Sequence, residues 1–324
     1  MKVGINGFGR IGKNIYRILV KNNIQVAAIN DPFVDAEYAE YLLRFDTVYG
    51  KRNDVSRDGD YIIIDGQKTI FISERNPADI PWDELGVDYV VEASGIFKTR
   101  EACEAHRCKH VILTCPSEDI PMYVYGVNHE KIAGDKVVSA ASCTTNCLAP
   151  IAKILDEEYG IVEGLMTTVH SVTASQKTTD AKGSKWRSAR SCMNIIPATT
   201  GAAVATTKVL PRLEGRISGM AFRVPVVNGS VVDFTVKLGR ETSLEKIRRA
   251  VESKKDSMRS VIRCSESQLV SSDIIGEEYS CVLDLGMSME LNPTFYKLVC
   301  WYDNEYGYSC RVVDLLLYMY NKQK

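Results

Sequence analysis

The first half of the chain alternates short apolar runs with segments that space apolar residues three or four positions apart. Each apolar run is short enough for a buried strand, and the spacing of apolar residues in the segments between the runs is typical of amphipathic helices. Alternation of this kind indicates βαβ units and a parallel sheet. The predicted strands are Lys2 to Asn6, Gln25 to Asn30, Tyr89 to Glu92, His110 to Thr114 and Lys136 to Ala141.

The pattern changes in the second half, where the apolar runs are longer and several alternate with a period of two. That period indicates an antiparallel sheet with one covered face. Amphipathic helices are predicted over Ser243 to Lys255, whose basic residues form a solvated face, and over Tyr306 to Tyr320. The predicted strands are Leu165 to His170, Ser218 to Pro225, Ser230 to Leu238, Tyr279 to Leu285 and Tyr296 to Tyr302.

Size and composition indicate a globular protein of two domains. The chain has 324 residues, of which 45% are hydrophobic and 25% charged. Lysine and arginine number 40 against 41 for aspartate and glutamate, so the charge gives no reason to expect nucleic-acid or membrane binding. Ten cysteines without framework spacing, and a first strand that follows Met1 directly, predict a cytoplasmic protein with free thiols.

A glycine-rich loop joins the first predicted strand to a helical run. Gly7, Gly9 and Gly12 form a GxGxxG pattern, which permits a tight turn and brings helix N–H groups to a pyrophosphate. Asp31 ends the next strand, where a carboxylate would meet the adenine ribose and favour NAD over NADP. The alternative is a glycine turn that binds no nucleotide, and Lys182 would weaken the preference for NAD if it reached the same pocket.

The segment from Ser142 to Cys147 places a thiol at the probable start of a helix. Cys143 follows a predicted strand and precedes apolar residues at helical spacing. Helix N–H groups and the positive end of the helix dipole favour a thiolate there, which would make Cys143 a nucleophile. The alternative is a small, inert core residue, which is the commoner fate of a free cysteine.

His170 ends a predicted strand and opens a long polar segment, residues 171 to 196. An imidazole beside Cys143 would lower the pKa of the thiol and act as a base, although an unrelated histidine at a strand end is the commoner finding. A loop of that length is usually functional. The four potential ligands Cys103, His106, Cys108 and His110 match no usual zinc spacing, so no metal site is predicted.

With these motifs the chain resembles the phosphorylating glyceraldehyde-3-phosphate dehydrogenases over essentially its full length. The resemblance rests on INGFGRIG at 5 to 12, SCTTNCLAP at 142 to 150, TVH at 168 to 170, TTGAA at 199 to 203, GMAFRVP at 219 to 225 and WYDNEYGYS at 301 to 309.

The resemblance implies a fold, a reaction and an assembly. The fold would be a doubly wound Rossmann sheet with NAD over residues 1 to 142, completed by the C-terminal helix at 304 to 324, and an α+β catalytic domain with a mainly antiparallel sheet over 143 to 303. Cys143 would attack D-glyceraldehyde 3-phosphate, His170 would take a proton as hydride leaves, and inorganic phosphate would cleave the thioester to 1,3-bisphosphoglycerate. The expected assembly is a homotetramer, and the expected pathway is glycolysis.

The resemblance also implies roles for residues that the motifs alone do not assign. Thr173, Arg190 and Arg223 would bind the substrate phosphate, although an arginine on a strand is also commonly half of a surface ion pair. The attacking phosphate would be held by Ser142, Thr144, Thr200 and Gly201. The cofactor residues would be Gly7, Gly9, Arg10, Ile11, Gly12, Asp31, Arg75, Ser94, Gly95, Thr114, Asn304 and Tyr308, with Asn304 on the carboxamide and Tyr308 near the nicotinamide.

The segment between His170 and Thr200 departs from the family pattern, being about two residues short. In the family it borders the neighbouring subunit's cofactor site. A close relative in the same class would oxidise erythrose 4-phosphate. Two other classes compete: a nucleotide-binding regulatory or RNA-associated protein without catalysis, and a cysteine hydrolase, which would leave the glycine loop and Asp31 unexplained.

Overall fold

The structure is a computed structural model that describes residues 1–174, 176–180, 187 and 190–322. Contacts between residues divide the chain into two compact units. The first unit contains Met1–Tyr123, His129–Ala141 and Ser309–Lys324, and the second contains Val124–Asn128 and Ser142–Tyr308.

The first unit is built on a largely parallel sheet. The strands run β10-β9-β8-β1-β2-β7-β6-β5, parallel from β10 to β7 and antiparallel from β7 to β5. The strand bounds are β1 (Lys2–Asn6), β2 (Gln25–Asn30), β3 (Phe45–Asp46), β4 (Gly50–Lys51), β5 (Val55–Asp58), β6 (Tyr61–Ile64), β7 (Gln67–Ile72), β8 (Tyr89–Glu92), β9 (His110–Leu113) and β10 (Val137–Ser139); β3 and β4 form a separate small ribbon. The helices are α1 (Arg10–Lys21), α2 (Ala36–Arg44) and α3 (Arg100–Glu104).

The order of these strands reverses at the first one. The chain moves from β1 to β2 on one side and later returns to place β8 on the other side of β1. Such a reversal marks the point where ligands bind in doubly wound sheets, outside the carboxyl ends of the strands. The loop after β1 and the turn after β8 both lie at this edge.

The second unit contains a mainly antiparallel sheet, in the order β12-β13-β11-β14-β17-β16-β15. The parallel pairs are β11 with β13 and β15 with β16, and the remaining neighbours are antiparallel. The bounds are α4 (Cys143–Tyr159), β11 (Ile161–Ser171), β12 (Ile196–Thr199), α5 (Ala202–Val209), β13 (Ile217–Val224), β14 (Ser230–Leu238), α6 (Leu244–Ser253), β15 (Ile262–Ser265), β16 (Cys281–Asn292) and β17 (Phe295–Tyr302). The last helix, α7 (Tyr306–Lys322), begins in this unit and continues into the first.

The core of the second unit forms between α4 and the sheet. Leu148, Ile151 and Leu155 of α4 are buried in one cluster with Phe234 of β14 and Leu298 of β17. Because so much of α4 is enclosed, its first turn is fixed relative to the strands that carry the other site residues. The helix ends at Gly160, whose φ of 72° is a conformation that glycine adopts without strain.

Each unit also contains a tryptophan whose indole N–H donates a hydrogen bond. In the first unit Trp82 donates to Nδ1 of His106 at 3.0 Å. In the second, Trp301 donates to a carboxylate oxygen of Asp284 at 3.0 Å. Trp82 is fully buried and Trp301 partly buried, and these bonds give both rings defined positions.

The predicted fold class is confirmed: a parallel sheet precedes a mainly antiparallel one. Strands β1, β2, β8 and β14 have the predicted bounds. The three-stranded antiparallel extension β5 to β7 was not predicted, because its strands are short, β5 carries charged residues and two-residue turns separate the strands. No helix in the described part of the chain is long and apolar enough to cross a membrane.

Candidate active site

Cys143 is the first residue of α4, as its sequence context predicted. The Oγ of Ser142 caps the helix by accepting a hydrogen bond from the N–H of Thr145 at 3.0 Å. The Asn146 side chain donates to the Ser142 carbonyl at 2.9 Å and fixes the entry of the chain. These local contacts place the half-buried thiol at the N-terminal end of the helix, where backbone N–H groups lack helical partners.

His170 lies beside this thiol. The Nε2 atom of the ring is 3.5 Å from Sγ of Cys143, and the side chain is only 4% exposed. Strand β11 supplies His170, and α4 packs against the sheet that contains β11. The structure therefore brings together the two residues that the sequence predicted as nucleophile and base.

Arg223 contacts the other side of the same imidazole. His170 and Arg223 are register partners on the parallel strands β11 and β13. The Nη1 atom of Arg223 lies 2.7 Å from Nδ1 of His170 and 3.2 Å from the carbonyl oxygen of Ser171. The surface ion pair considered for Arg223 is not observed within the described residues, where the guanidinium contacts a ring nitrogen and a carbonyl oxygen.

Burial determines the protonation of the pair. It raises the pKa of the Cys143 thiol above its ordinary value, more than the charge of Arg223 and the hydrogen bonds of Thr144 lower it. Burial, followed by the charge of Arg223, lowers the pKa of His170 to about 3. Burial therefore acts against the thiolate that the helix N-terminus was expected to favour, because desolvation affects the thiol more than the neighbouring charge and hydrogen bonds do.

A buried hydroxyl network supports the same site. The Tyr302 hydroxyl lies 2.8 Å from Oγ1 of Thr144 and 2.8 Å from Oγ1 of Thr168. The Tyr302 ring meets the His170 ring edge to face, with centroids 6.0 Å apart. Tyr302 was not identified from the sequence, although it lies in the motif at 301 to 309, and it directs the Thr144 hydroxyl toward the protein interior.

Asn304 is held by its carboxamide oxygen. The oxygen accepts hydrogen bonds from the hydroxyls of Ser171 at 2.9 Å and Ser230 at 2.7 Å. Asn304 is 5% exposed, and the nearby Tyr308 is 4% exposed. The orientation of the Asn304 amide is thereby set by two serines that the sequence did not single out.

The other predicted phosphate ligands lie in exposed or partly exposed loops of the second unit. The exposed Thr173 is paired with Oε1 of Gln176 through its backbone N–H at 3.2 Å. Arg190 is exposed, and its Nε lies 3.3 Å from a carboxylate oxygen of Asp180. Thr200 and Gly201 lead into α5, where the Thr200 hydroxyl accepts a hydrogen bond from the N–H of Ala202 at 3.1 Å.

In the first unit, the glycine loop is tightly folded against its neighbours. Gly7 has a φ of 97°, and a Cβ there would approach the Ser94 nitrogen to 2.6 Å. A Cβ on Gly12 would lie 2.0 Å from the Gly7 carbonyl oxygen. A Cβ on Gly9, by contrast, would meet nothing within 4 Å, and Gly9 provides no side-chain cap for α1. The helix N-terminus is therefore open on the side of Gly9.

Charged side chains hold this loop in place. Asp31 accepts hydrogen bonds from the backbone N–H groups of Phe8 at 2.8 Å and Phe33 at 2.9 Å. Arg10 binds the buried carboxylate of Asp46 through Nη1 at 2.9 Å, and Ile11 follows it in the first turn of α1.

Asp46 also contacts Lys13 and Arg17, and the Lys13 and Arg10 contacts lower its pKa further than burial raises it. Arg75 lies over the exposed Phe33 ring at 5.1 Å.

A buried carboxylate connects the loop to the turn after β8. Glu92 is fully buried and accepts hydrogen bonds from Asn6 at 2.6 Å, the Ser94 N–H at 2.8 Å and the Ser94 hydroxyl. Since the Trp82 indole can only donate to Nδ1 of His106, the His106 Nε2 carries the proton and donates to Glu92 at 3.0 Å.

The same connection fixes two further predicted cofactor residues. Gly95 follows Ser94 with a φ of 72°, and the Thr114 hydroxyl donates to the Glu92 carbonyl at 3.0 Å. Glu92 and His106 were not predicted as site residues. The sequence feature that could have identified Glu92 is its position at the end of a predicted parallel strand.

The histidine and cysteine residues rejected as zinc ligands have other neighbours. His106 contacts Trp82 and Glu92, and the Cys108 thiol lies 3.3 Å from the His110 carbonyl. Among the described residues no group of three potential ligands is placed to hold a metal ion. Lys182, considered as a modifier of cofactor choice, lies outside the described residues.

The glycine loop at the switch point of the parallel sheet defines the class of this protein as dinucleotide-binding. Comparison with known families agrees. Residues 1–100 match the NAD binding domain of glyceraldehyde 3-phosphate dehydrogenase, and residues 142–304 match its C-terminal domain.

Individual relatives are similar over nearly their full length. Glyceraldehyde-3-phosphate dehydrogenase of Eremothecium gossypii is 50% identical over 324 residues, which cover 98% of both chains. Glyceraldehyde-3-phosphate dehydrogenase 1 of Saccharomyces cerevisiae is 48% identical over 328 residues, covering 98% of this chain and 99% of the relative. The chain belongs to the glyceraldehyde-3-phosphate dehydrogenase family, and the predicted resemblance and NAD cofactor are confirmed.

Proposed function

We propose that this protein oxidises D-glyceraldehyde 3-phosphate to 1,3-bisphosphoglycerate, with NAD as hydride acceptor and inorganic phosphate as second substrate, through a thioester on Cys143. Family membership supports the reaction class. The observation that carries the mechanism is the 3.5 Å separation of the Cys143 thiol and the neutral His170 ring at the first turn of α4. A thiol next to a neutral imidazole suits acyl transfer, because the ring can accept and return one proton.

The residues of the first unit fit NAD. Gly7 and Gly12 leave no room for side chains, while the space at Gly9 is open beside the N–H groups of α1. These are the requirements of a pyrophosphate at a helix N-terminus. Asp31 follows β2, where its carboxylate would meet the ribose hydroxyls, and Ser94, Gly95 and Thr114 follow the adjoining strands.

The first steps depend on the pair in the second unit. His170 takes the thiol proton at Nε2, and the thiolate attacks the aldehyde carbon. The protonated ring returns its proton to the new alkoxide, which leaves a hemithioacetal and a neutral His170. The backbone N–H of Cys143 stabilises the developing oxyanion.

Oxidation and phosphate transfer follow on the same sulfur. His170 removes the hydroxyl proton of the hemithioacetal while the aldehyde hydrogen leaves as hydride, giving a thioester. Bound NAD supplies the hydride acceptor. Phosphate then attacks the thioester carbon, the C–S bond breaks, and the thiolate recovers a proton from His170. The thioester thereby conserves the energy of oxidation in an acyl phosphate.

Two groups of residues would hold the two phosphates. We propose that Arg223, with Thr173 and Arg190, binds the phosphate of the substrate, because guanidinium and hydroxyl groups suit a phosphate dianion. Ser142, Thr144, Thr200 and Gly201 would surround the attacking phosphate. In the present structure the hydroxyls of Ser142 and Thr144 bond within the protein, so each would have to exchange a partner or bind through its backbone N–H.

We also propose that the chain divides into an NAD-binding domain over residues 1 to 142, completed by residues 304 to 324, and a catalytic domain over residues 143 to 303.

The proposed assembly is a cytoplasmic homotetramer. Leu165 of β11 and Leu291 of β16 are 67% and 75% exposed, and large exposed apolar side chains on strands favour assembly. Sedimentation velocity at several protein concentrations tests this; a monomer throughout would contradict it.

The test of the reaction is an NADH absorbance assay with glyceraldehyde 3-phosphate, with and without inorganic phosphate, repeated with erythrose 4-phosphate. We expect NADH to accumulate over many turnovers only when phosphate is present, with the three-carbon substrate preferred. No phosphate dependence would refute acyl transfer to phosphate. Failure to bind NAD would revive the hydrolase alternative.

A further inference from the structure

The two ends of the Asn304 carboxamide have different surroundings. Its oxygen accepts hydrogen bonds from the hydroxyls of Ser171 and Ser230. Within the described residues no atom accepts a hydrogen bond from its NH₂ group, although Asn304 is only 5% exposed. A nearly buried donor without an acceptor costs free energy, so this NH₂ group is available to a ligand.

Ser230 determines which end of the amide is which. Its Oγ accepts a hydrogen bond from the N–H of Ser171 at 3.1 Å, so its own hydrogen needs a different acceptor. The Asn304 oxygen, at 2.7 Å, provides that acceptor. A reversed amide would turn NH₂ hydrogens toward the buried Ser230 hydroxyl and remove its acceptor. Asn304 therefore presents a donor to a ligand.

The residue before Asn304 is a buried aspartate, 1% exposed, that accepts hydrogen bonds from three parts of the second unit. One oxygen of Asp303 accepts from the Asn228 side chain at 2.9 Å. The same oxygen accepts from the N–H groups of Glu305 and Tyr306, at 2.8 and 2.7 Å, at the start of α7. The other oxygen accepts from the N–H of Gly276 at 2.8 Å, in the loop before β16.

The first turn of α7 also packs against this loop. A Cβ on Gly307 would lie 2.9 Å from the carbonyl oxygen of Glu277 and 3.3 Å from that of Tyr279, so the two backbones are in close contact. Asn304 thus lies between a bonded aspartate and a tightly packed helix start. Because its side chain extends from this fixed backbone, Asp303 also determines where the NH₂ group of Asn304 points.

We propose that Asp303 is a positioning residue for NAD, which holds Asn304 so that its NH₂ group binds the carboxamide oxygen of the nicotinamide. This rests on the proposed function, in which Asn304 binds the carboxamide. Asp303 acts through Asn304 and does not itself touch the cofactor. Its removal should therefore weaken binding of NAD and spare binding of ADP-ribose, which has the same phosphates and riboses but no nicotinamide.

Calorimetric titration of the full chain with NAD and with ADP-ribose measures both affinities. Asn304→Ala should raise the Kd of NAD about fivefold, the effect of losing one hydrogen bond between neutral groups, and leave that of ADP-ribose unchanged. Asp303→Ala should raise the Kd of NAD by up to the same factor, because NAD must then order the loosened Asn304. An unchanged ratio of the two Kd values in Asp303→Ala would overturn the proposal.

The double variant separates positioning from a general effect on the unit. If Asp303 acts only through Asn304, Asp303→Ala combined with Asn304→Ala should bind NAD no more weakly than Asn304→Ala alone. Additive losses would overturn the proposal. An equal loss for NAD and ADP-ribose in Asp303→Ala would do so too, since general loosening produces that result.

A conservative variant tests which contacts of Asp303 matter. In Asp303→Asn the amide oxygen can keep the three donors of the first oxygen, and only the Gly276 N–H faces the new NH₂ group. This variant should therefore recover most of the affinity for NAD. A loss as large as that of Asp303→Ala would contradict the proposal.

The matched control removes a similar acceptor at the start of another helix. The Ser243 hydroxyl caps α6 by accepting a hydrogen bond from the N–H of Lys246 at 3.3 Å. Ser243→Ala should lower stability and leave the ratio of the two Kd values unchanged. A selective loss of NAD binding in this variant would overturn the proposal, because the effect would not be specific to Asp303.

Asn228→Ala keeps the test decisive if Asp303→Ala does not fold. It removes one donor from Asp303 and retains the contacts at the start of α7. We expect a selective rise of the Kd of NAD of about twofold, the low end for one hydrogen bond. Unchanged NAD affinity in Asn228→Ala would then overturn the proposal.

The outcomes separate this inference from the proposed function. No selective loss in Asn304→Ala would refute the carboxamide role of Asn304 and this inference with it. A selective loss in Asn304→Ala that is absent from Asp303→Ala would refute the inference alone and leave the proposed function intact.

Discussion

Replacing Glu92 with glutamine should weaken NAD binding by disturbing the turn at Ser94, although Glu92 itself is completely buried. The carboxylate receives donors at both oxygens: Asn6 and His106 at one, and the N–H and hydroxyl of Ser94 at the other. Glutamine provides one oxygen and one NH₂ group. One pair of donors must therefore face another donor.

The less costly orientation can be worked out from the contacts. An NH₂ group toward Asn6 and His106 opposes two donors, and His106 cannot change tautomer because the Trp82 indole only donates to it. An NH₂ group toward Ser94 opposes only the backbone N–H, since the hydroxyl can rotate and accept. We expect the second orientation. The free energy of unfolding should fall by about 2–4 kcal/mol, because one charge-assisted hydrogen bond is lost and the others are weakened.

Loss of the Ser94 contact should reach the cofactor. NAD binding would have to order the loosened turn, which costs about 1–2 kcal/mol for one residue. The dissociation constant of NAD should therefore rise about tenfold. His106→Asn is the matched control, because it removes a donor from the other oxygen of Glu92 and leaves Ser94 bonded. It should lower stability without changing NAD affinity.

Urea unfolding followed by circular dichroism, at one protein concentration and without ligand, measures stability, since assembly and ligands would shift the midpoint. Calorimetric titration measures NAD binding. Equal NAD affinities in Glu92→Gln and the unmodified protein would refute the reasoning. An equal weakening in Glu92→Gln and His106→Asn would do so as well, because the effect would then be general loosening of the first unit.

The remaining predictions concern three residues. Cys143→Ser should abolish NADH formation while NAD binding stays nearly unchanged, and His170→Asn should slow turnover by about two to four orders of magnitude; normal turnover in either variant would contradict the assigned roles. Asp31→Gly should reduce the preference for NAD over NADP, and an unchanged ratio of kcat/KM values would remove Asp31 from the ribose site.

The low pKa of His170, about 3, means that below about pH 6.5 the unfolded chain binds a proton that the folded chain does not. The free energy of unfolding should fall by about 1.4 kcal/mol per pH unit from this residue as the pH drops toward 3. The fall should be shallower in His170→Asn, and identical slopes in urea unfolding would contradict this.

Local features were predictable from the sequence. Strands β1, β2 and β8 end at polar residues that follow buried runs, so their bounds could be read directly. The start of α4 at Cys143 followed from the position of this residue between a predicted strand and a helical pattern. In each case neighbouring residues determine the structure.

Features that depend on strand register or enclosure could not be predicted. The contact between His170 and Arg223 exists because β11 and β13 are parallel in one register, and the two residues are 53 positions apart. The Tyr302 hydroxyl meets Thr144 only through packing of α4 on β17. The rise in the pKa of the Cys143 thiol could not be predicted for the same reason, because its burial is a property of the whole unit.

The two hydrogen-bonded indoles give each unit its own optical reporter. Trp82 and Trp301 have different hydrogen-bond acceptors, an imidazole and a carboxylate, so their emission should differ. In a background where Trp186 is replaced by phenylalanine, single-tryptophan variants would report separately on the unfolding of the two units. Fluorescence from one ring could thus reveal whether the glycine-loop unit and the thiol-bearing unit lose their structure together or in sequence.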